Sequence, residues 1–169
     1  MSENPLAHPA VFRRVVVEPN VQALAERSDD IRLAMNAVFA VDALVAHIFW
    51  WVKEHAPQSD LRGMRDDSEY RHHLSKRSEY FGVLRDLAKA LKHVQLSRHD
   101  PKVAGANKMG AMPVGYGELP YGRGRFGGPT QVVVQLSDDS YDYVESIISD
   151  AMAVLAEQMR CYGCEQEPI

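Results

Sequence analysis

The order of apolar and polar positions divides the chain into helical stretches, interrupted by one glycine- and proline-rich interval. The clearest helical stretch is DIRLAMNAVFAVDALVAHIFWWVKEH. Ser28, Asp29 and Asp30 supply an N-cap and acidic first-turn charge, and Pro57 closes the pattern, so a helix is predicted over 29–55. At about 100° per residue, Ile31, Leu33, Val38, Val41, Leu44, Val45, Ile48, Phe49, Trp51 and Val52 cover a broad apolar arc. Arg32, Asn36 and His47 line the opposite stripe, with Ala40 and Ala43 between them. Such a helix is mostly buried. Asp42 falls on the apolar side, where a carboxylate must find a partner or the edge of the core. Trp50 sits beside the polar stripe, which points to a subunit interface or pocket wall unless residues 56–70 or the glycine-rich interval cover it.

The other elements are shorter. Residues 1–11 read as disordered, and FRRVVVEP at 12–19 predicts a strand of three valines ended by a proline. VQALAER at 21–27 makes a short helix and 58–69 a polar linker. A helix begins near Asp66–Ser68 and runs through YRHHLSKRSEYF, with a break at Gly82. The next helix, over about 80–98, contains LRDLAKALKHVQLSRHD. Leu84, Leu87, Leu91 and Val94 form its apolar face; Arg85, Lys89 and Lys92 lie opposite, with Asp86 and His93 beside them. Asp100-Pro101 ends it.

Residues 101–130 hold eight of the eleven glycines and four of the nine prolines, which predicts a long loop or hairpin. QVVVQL at 131–136 reads as a strand, paired with residues 102–106 or with FRRVVVEP. Residues 138–160 form a final amphipathic helix capped by Ser137 or Asp138, and 161–169 a tail. The expected fold is mainly α: one four-helix-bundle-like domain over 12–160, with a small β element and the 101–130 segment as a loop insertion.

Composition adds few constraints. The 169 residues, 46% apolar and 25% charged, are those of an ordinary globular domain. Two cysteines, Cys161 and Cys164, exclude a disulfide framework and suit a reducing cytosol. The first residues hold no apolar run of signal-peptide length, and AVFAVDALVAHIFWWV, broken by Asp42 and His47, falls short of a membrane span. A cytoplasmic protein with no membrane partner is expected.

Charge changes the picture more. Residues 1–61 carry five basic and eight acidic side chains, residues 62–125 thirteen and seven, and residues 126–169 one and eight. A basic middle between acidic ends can attract an anion locally, or it can face the acidic C-terminal helix inside the fold.

Candidate chemistry follows from that middle. Arg85, Lys89, Lys92 and Arg98, with Arg123 and Arg125 from the loop, form a candidate phosphate- or RNA-binding face. Histidine is the side chain suited to acid–base work near neutral pH, and Asp86 could orient His93 for it. Against this stand a solvated helix face and an internal pair of Asp42 with Lys92 or His93. GYGELPYGRGRFGGP could follow a phosphodiester backbone while Tyr116, Tyr121 and Phe126 stack on bases, or be a loop decorating the bundle. It has no phosphate-loop lysine and no G-x-G-x-x-G between strand and helix. The pair in CYGC cannot fill a tetrahedral zinc site, so no metal and no cofactor are expected.

The long helix, the R-D-L-A-K-A-L-K-H segment at 85–93 and the last amphipathic helix together resemble HEPN-type helical bundles. More narrowly, the chain is similar to a group of small uncharacterised bacterial proteins with an R-D-[IL]-A-x-x-x-K-H segment. The resemblance covers roughly 28–100 and 138–160. It implies a homodimer, and for many members metal-independent RNA cleavage by an Arg and a His separated by four to six residues. Arg85 and His93 are separated by seven, outside that spacing, while Arg65 and His72 fit it. Roughly one or two such pairs arise by chance in this composition. The resemblance therefore implies first a non-enzymatic binding or regulatory module, with RNA or another phosphate-bearing ligand as partner. The alternatives are an endoribonuclease using His93 or His72 with Arg85 or Arg65, and a purely structural dimeric partner protein.

Overall fold

The apolar arc of residues 31–52 builds the centre of the molecule. The computed structural model describes residues 5–56, 58–97, 100–113 and 129–167. In chain order its elements are α1 (Pro9–Phe12), a π-helical turn at Arg13–Val17, α2 (Glu18–Glu26), α3 (Ile31–His55), α4 (Asp67–Arg77) and α5 (Glu79–His93). Three strands follow, β1 (Met109–Met112), β2 (Gln131–Gln135) and β3 (Tyr141–Tyr143), and then α6 (Val144–Tyr162). The structure is mainly helical with a small antiparallel sheet, as the patterns predict.

Asp30 caps α3 by accepting the amides of Arg32 and Leu33, at 2.9 and 3.2 Å. Helices α2, α4, α5 and α6 all pack on α3, and Val38, Val41, Leu44, Val45, Ile48, Phe49 and Val52 are buried there. Taken whole, α3 is long and apolar enough to cross a membrane, contrary to the reading of its interrupted run. More than half of that stretch is buried inside the fold, as in the core helix of a globular domain. Ala37 and Ala40 are also buried, so their small side chains serve close helix approach.

FRRVVVEP is helical, not a strand. Buried Ala10, Val17 and Leu24 recur at seven-residue spacing, a helical period that outweighs the β preference of three valines. In a regular α-helix the ring of Pro19 would meet the carbonyl of Val15. The wider π turn absorbs that conflict: the Glu18 amide reaches back five residues to Arg13. The Asn20 side chain donates to the Val16 carbonyl at 2.7 Å. Residues 5–11, expected to be disordered, are partly helical, and with Phe12 this arm docks on α3. His8 caps α1 through Nδ1 and meets Trp51 edge-on, while Phe12 stacks on His47 with ring centroids 3.7 Å apart.

Other boundaries shift for local reasons. The break between α4 and α5 is at Ser78, not Gly82, because the Ser78 hydroxyl caps α5 at the Phe81 amide. Helix α5 ends at His93, five residues early. Residues 102–106 supply a single bridge, Gln95 to Gly105, rather than a strand. β2 pairs antiparallel with β1 (Gly110 opposite Val133) and with β3 (Val133 opposite Tyr143). Val132 and Val134 face the helical core, whereas Val133 and Tyr143 share the other face with Met112 and Tyr141. β3 takes the residues expected to begin the last helix, so Tyr143 stands at the N-cap instead of Ser137 or Asp138. At the far end of α6, Gly163 with φ 71° makes the left-handed cap and turns Cys164 into the core, so 161–164 is no free tail.

Candidate functional site

Helices α4 and α5 lie side by side, and α4 closes near Gly82, where an added Cβ would sit 3.7 Å from Ser75. The pair divides its cations between two faces.

The inner set surrounds Asp42. Its carboxylate accepts from Arg71 Nε at 2.9 Å and from Lys92 Nζ at 3.0 Å, and its backbone carbonyl accepts from Arg71 Nη2 at 2.8 Å. Arg71 also bonds Asp67, one helical turn earlier. Burial opposes the Arg71 guanidinium, but the two carboxylates outweigh it and its basicity rises. The misfit carboxylate of α3 is thus bonded internally, by Lys92 rather than His93, and by Arg71, which the pattern alone did not single out. Lys92 also lies 5.6 Å from the Phe39 ring centroid, so its charge is engaged by this network although half of its side chain stays exposed.

The outer set lines a cleft of about 800 Å³. His72 comes from α4, Arg85, Asp86, Lys89 and His93 from α5, and Gln95, Leu96, Ser97, Asp100 and Pro101 from the segment beyond. Among the described residues, Arg85, Lys89, His72 and His93 form no ion pair. Arg85 is held against α4 by Nη1, which donates to Ser75 Oγ at 3.3 Å, while its buried Nε–H has no partner. The uncompensated charge is felt within the cluster. Partial burial lowers the basicity of Lys89, and the Arg85 charge lowers it further against the opposing Asp86. Partial desolvation lowers that of His72, helped by Lys76, Arg85 and Lys89.

Asp86 does not orient His93. Its Oδ2 accepts the Lys102 amide at 2.9 Å and so anchors the wall of the cleft. That wall begins with a strained turn. Val94 has φ 66° and ψ −43°, and the Gln95 amide donates to the His93 carbonyl at 2.7 Å, a γ-turn rarely adopted by a β-branched residue. The turn is held by the Ala106 amide, which donates to the Val94 carbonyl at 2.9 Å. Gly105 permits this approach, because a Cβ there would lie 3.0 Å from that carbonyl and 2.8 Å from Asn107 Oδ1. No side-chain pattern signals this turn in the sequence.

Arg65 lies apart from the cleft, at the start of α4, bonded to Asp66 and Glu69, so the Arg65–His72 spacing match brings no shared site. Arg98, Arg123 and Arg125 lie outside the described residues, as does most of GYGELPYGRGRFGGP. Trp50 is 54% exposed, as its place beside the polar stripe implies. Burial raises the Cys164 thiol to about 12, which makes it a poor nucleophile or ligand. Compared with known proteins, the chain matches no family model, no curated protein and no solved structure.

Proposed function

We propose that this chain is a non-enzymatic, HEPN-like binding or regulatory module that holds an anion, RNA or another phosphate-bearing ligand, in the cleft between α4 and α5. One observation carries the reading: Arg85 and Lys89 line a cleft with His72 and His93 and have no carboxylate partner among the described residues. Unpaired cations gain most from an arriving anion, and the charged form of Lys89 is already disfavoured, first by burial and then by Arg85. Lys92, spent on Asp42, drops out of the predicted face.

The test is titration of fluorescent single-stranded RNA with the native protein and an Arg85→Ala/Lys89→Ala variant at two salt concentrations. Salt-sensitive binding lost in the variant is expected. Equal binding by both proteins, or by neither, removes the cleft from the account. The homodimer belongs to the same reading, supported by exposed Trp50 on α3; sedimentation of native protein and Trp50→Glu tests it.

A second reading, metal-independent RNA cleavage, is favoured by His72, Arg85 and His93 sharing one cleft. His72, with its lowered basicity, would accept the 2′-hydroxyl proton as that oxygen attacks phosphorus. His93 would return a proton to the departing 5′-oxygen, and Arg85 would stabilise the phosphorane charge. Cleavage that survives EDTA and is lost in His72→Ala and His93→Ala is its signature. Cleavage unchanged in both variants rules it out.

A further inference from the structure

Charge is arranged differently on the helices away from the cleft. Helix α2 and residues 144–159 of α6 together carry five carboxylates, Glu18, Glu26, Glu145, Asp150 and Glu157, and no Lys, Arg or His. Cations stand at the margins, where Arg13 bonds Glu18, Arg27 bonds Asp30 and Arg160 lies 4.0 Å from Glu165. An open groove of about 500 Å³ follows the seam of these two helices. Its floor is apolar: Leu24 and Ile148 are buried, and Val21 and Met152 are half-buried against the same core. Each wall begins with a carboxylate, Glu18 on α2 and Glu145 on α6. The exposed positions Ala25 and Ser149 are small, so another backbone can approach closely.

The dimensions suit a helix. The lining runs from Glu18 to Ala25 on one side and from Glu145 to Met152 on the other, about 10 Å of helix axis each. That is two turns, the span of apolar anchors at i, i+4 and i+7 on an amphipathic helix laid in a groove. Met152, unbranched and polarisable, can adapt to the anchors it meets. Charge then selects among helices. A symmetric contact between two copies of this groove would set carboxylates against carboxylates. A helix with Lys or Arg beside its anchors meets opposite charge on both walls. The Arg13–Glu18 bond is no obstacle, because a solvent-accessible pair contributes little and can exchange for a partner's cation.

We infer that the α2–α6 groove is a docking site for an amphipathic helix of a partner protein, with apolar anchors on one face and Lys or Arg flanking them. The inference stands apart from the anion-binding reading, because the groove and the α4–α5 cleft share no lining residue.

The experiment selects binders from a random library of displayed sixteen-residue peptides on the native protein, with Ala25→Arg/Ser149→Arg as counter-target. Both positions are exposed, so the variant should keep the native circular dichroism while it narrows the groove and reverses its charge. The expected winners carry large apolar residues at i, i+4 and i+7 and a net positive charge. A synthetic winner, followed by fluorescence anisotropy, should bind the variant at least tenfold more weakly than the native chain. Replacing its Lys and Arg by Gln should weaken it about tenfold, whereas Arg85→Ala/Lys89→Ala in the protein should leave its affinity unchanged. Should the variant lose its circular dichroism, amide chemical shifts decide instead. Changes on adding the winner that centre on Val21, Ala25, Ser149 and Met152 support the inference, and changes centred elsewhere overturn it. Acidic or uncharged winners, equal binding by native and variant chains, or no winner at all overturn it too. Native dimerisation that is lost in Ala25→Arg/Ser149→Arg assigns the groove to a second copy and likewise overturns it.

Discussion

Two clusters of cations on the same pair of helices meet opposite fates. Arg71 and Lys92 turn inward to Asp42, while their sequence neighbours His72 and His93 turn to the cleft with Arg85 and Lys89. A step of one residue rotates a side chain by about 100° about the helix axis, enough to separate a structural ion pair from a solvent-facing site. The inner cluster is compensated: one nearly buried carboxylate, two cations and a supporting Asp67. The outer cluster makes no ion pair among the described residues, and the charged forms of Lys89 and His72 are disfavoured there, first by desolvation and then by neighbouring cations. Charge that the fold has neutralised serves stability, and charge left unpaired beside a cavity is available for binding.

The sharpest way to break this division is Asp42→Ala. It takes one of two carboxylates from the Arg71 guanidinium, whose side chain is 13% exposed, and leaves it Asp67 and the backbone carbonyl of residue 42; the loss of the buried charge-assisted bond should cost about 1–3 kcal/mol in urea unfolding. Asp42→Leu combined with Arg71→Met should recover most of the loss. A cost below about 1 kcal/mol would mean that the inner network contributes little to stability.

The outer cluster should behave conversely. Arg85→Ala/Lys89→Ala is expected to change stability by no more than about 0.5 kcal/mol, since it removes mutual repulsion along with one hydrogen bond to Ser75. The same variant should weaken RNA binding tenfold or more. Lys92→Ala is the control: fluorescence anisotropy should register less than about a twofold change, because its charge is already met by Asp42. If Lys92→Ala weakens binding as much as Lys89→Ala, the two clusters are one surface and the comparison fails.

A smaller effect is expected at the turn that shapes the cleft. Val94→Gly relieves a positive-φ valine that is 71% exposed and should stabilise the fold by up to about 1 kcal/mol, offset in part by the entropy of glycine. Thermal unfolding checks the sign. A large loss instead would show that the valine side chain makes a contact of its own.

The slightest effect is on pH dependence, and it separates the cleft from the N-terminal arm. His8 and His47 are both less basic than a free imidazole, chiefly through burial, although backbone carbonyls of Ala7 and Leu6 pull His47 the other way. Their neutral forms are favoured in the native state, so the unfolded chain binds more protons below about pH 6.5. Stability from this source is full above that pH and is lost as pH falls below it. His47→Gln should flatten that decline in a urea titration at pH 7 and pH 5.5, whereas Lys89→Ala, which touches only the smaller contribution of exposed His72, should change it less.

How far the sequence reaches can be judged residue by residue. The helix at 31–55 was legible because its apolar period is sustained and Asp30 caps it, both local properties. Asp42 announced that it needed a partner, since a carboxylate among valines has no local solution, but which cation would arrive was settled by packing. Lys92 was a candidate from the sequence; Arg71 was not, because a mixed polar helix such as Asp67–Arg77 carries little facial signal. The valines at 15–17 misled because strand preference is weak beside the burial of Val17 against α3 and the accommodation of Pro19 by a π turn.

By itself, then, the sequence determined a mainly helical domain, a buried α3, an exposed Trp50 and a basic middle that had to be paired or to bind. Tertiary structure alone decided which cations were spent and which remained, that Asp86 holds the Lys102 amide rather than His93, and that a γ-turn at Val94 walls the cleft. Periodicity and caps are written within a few residues of each other, whereas charge compensation depends on groups 29 and 50 positions apart meeting at one carboxylate.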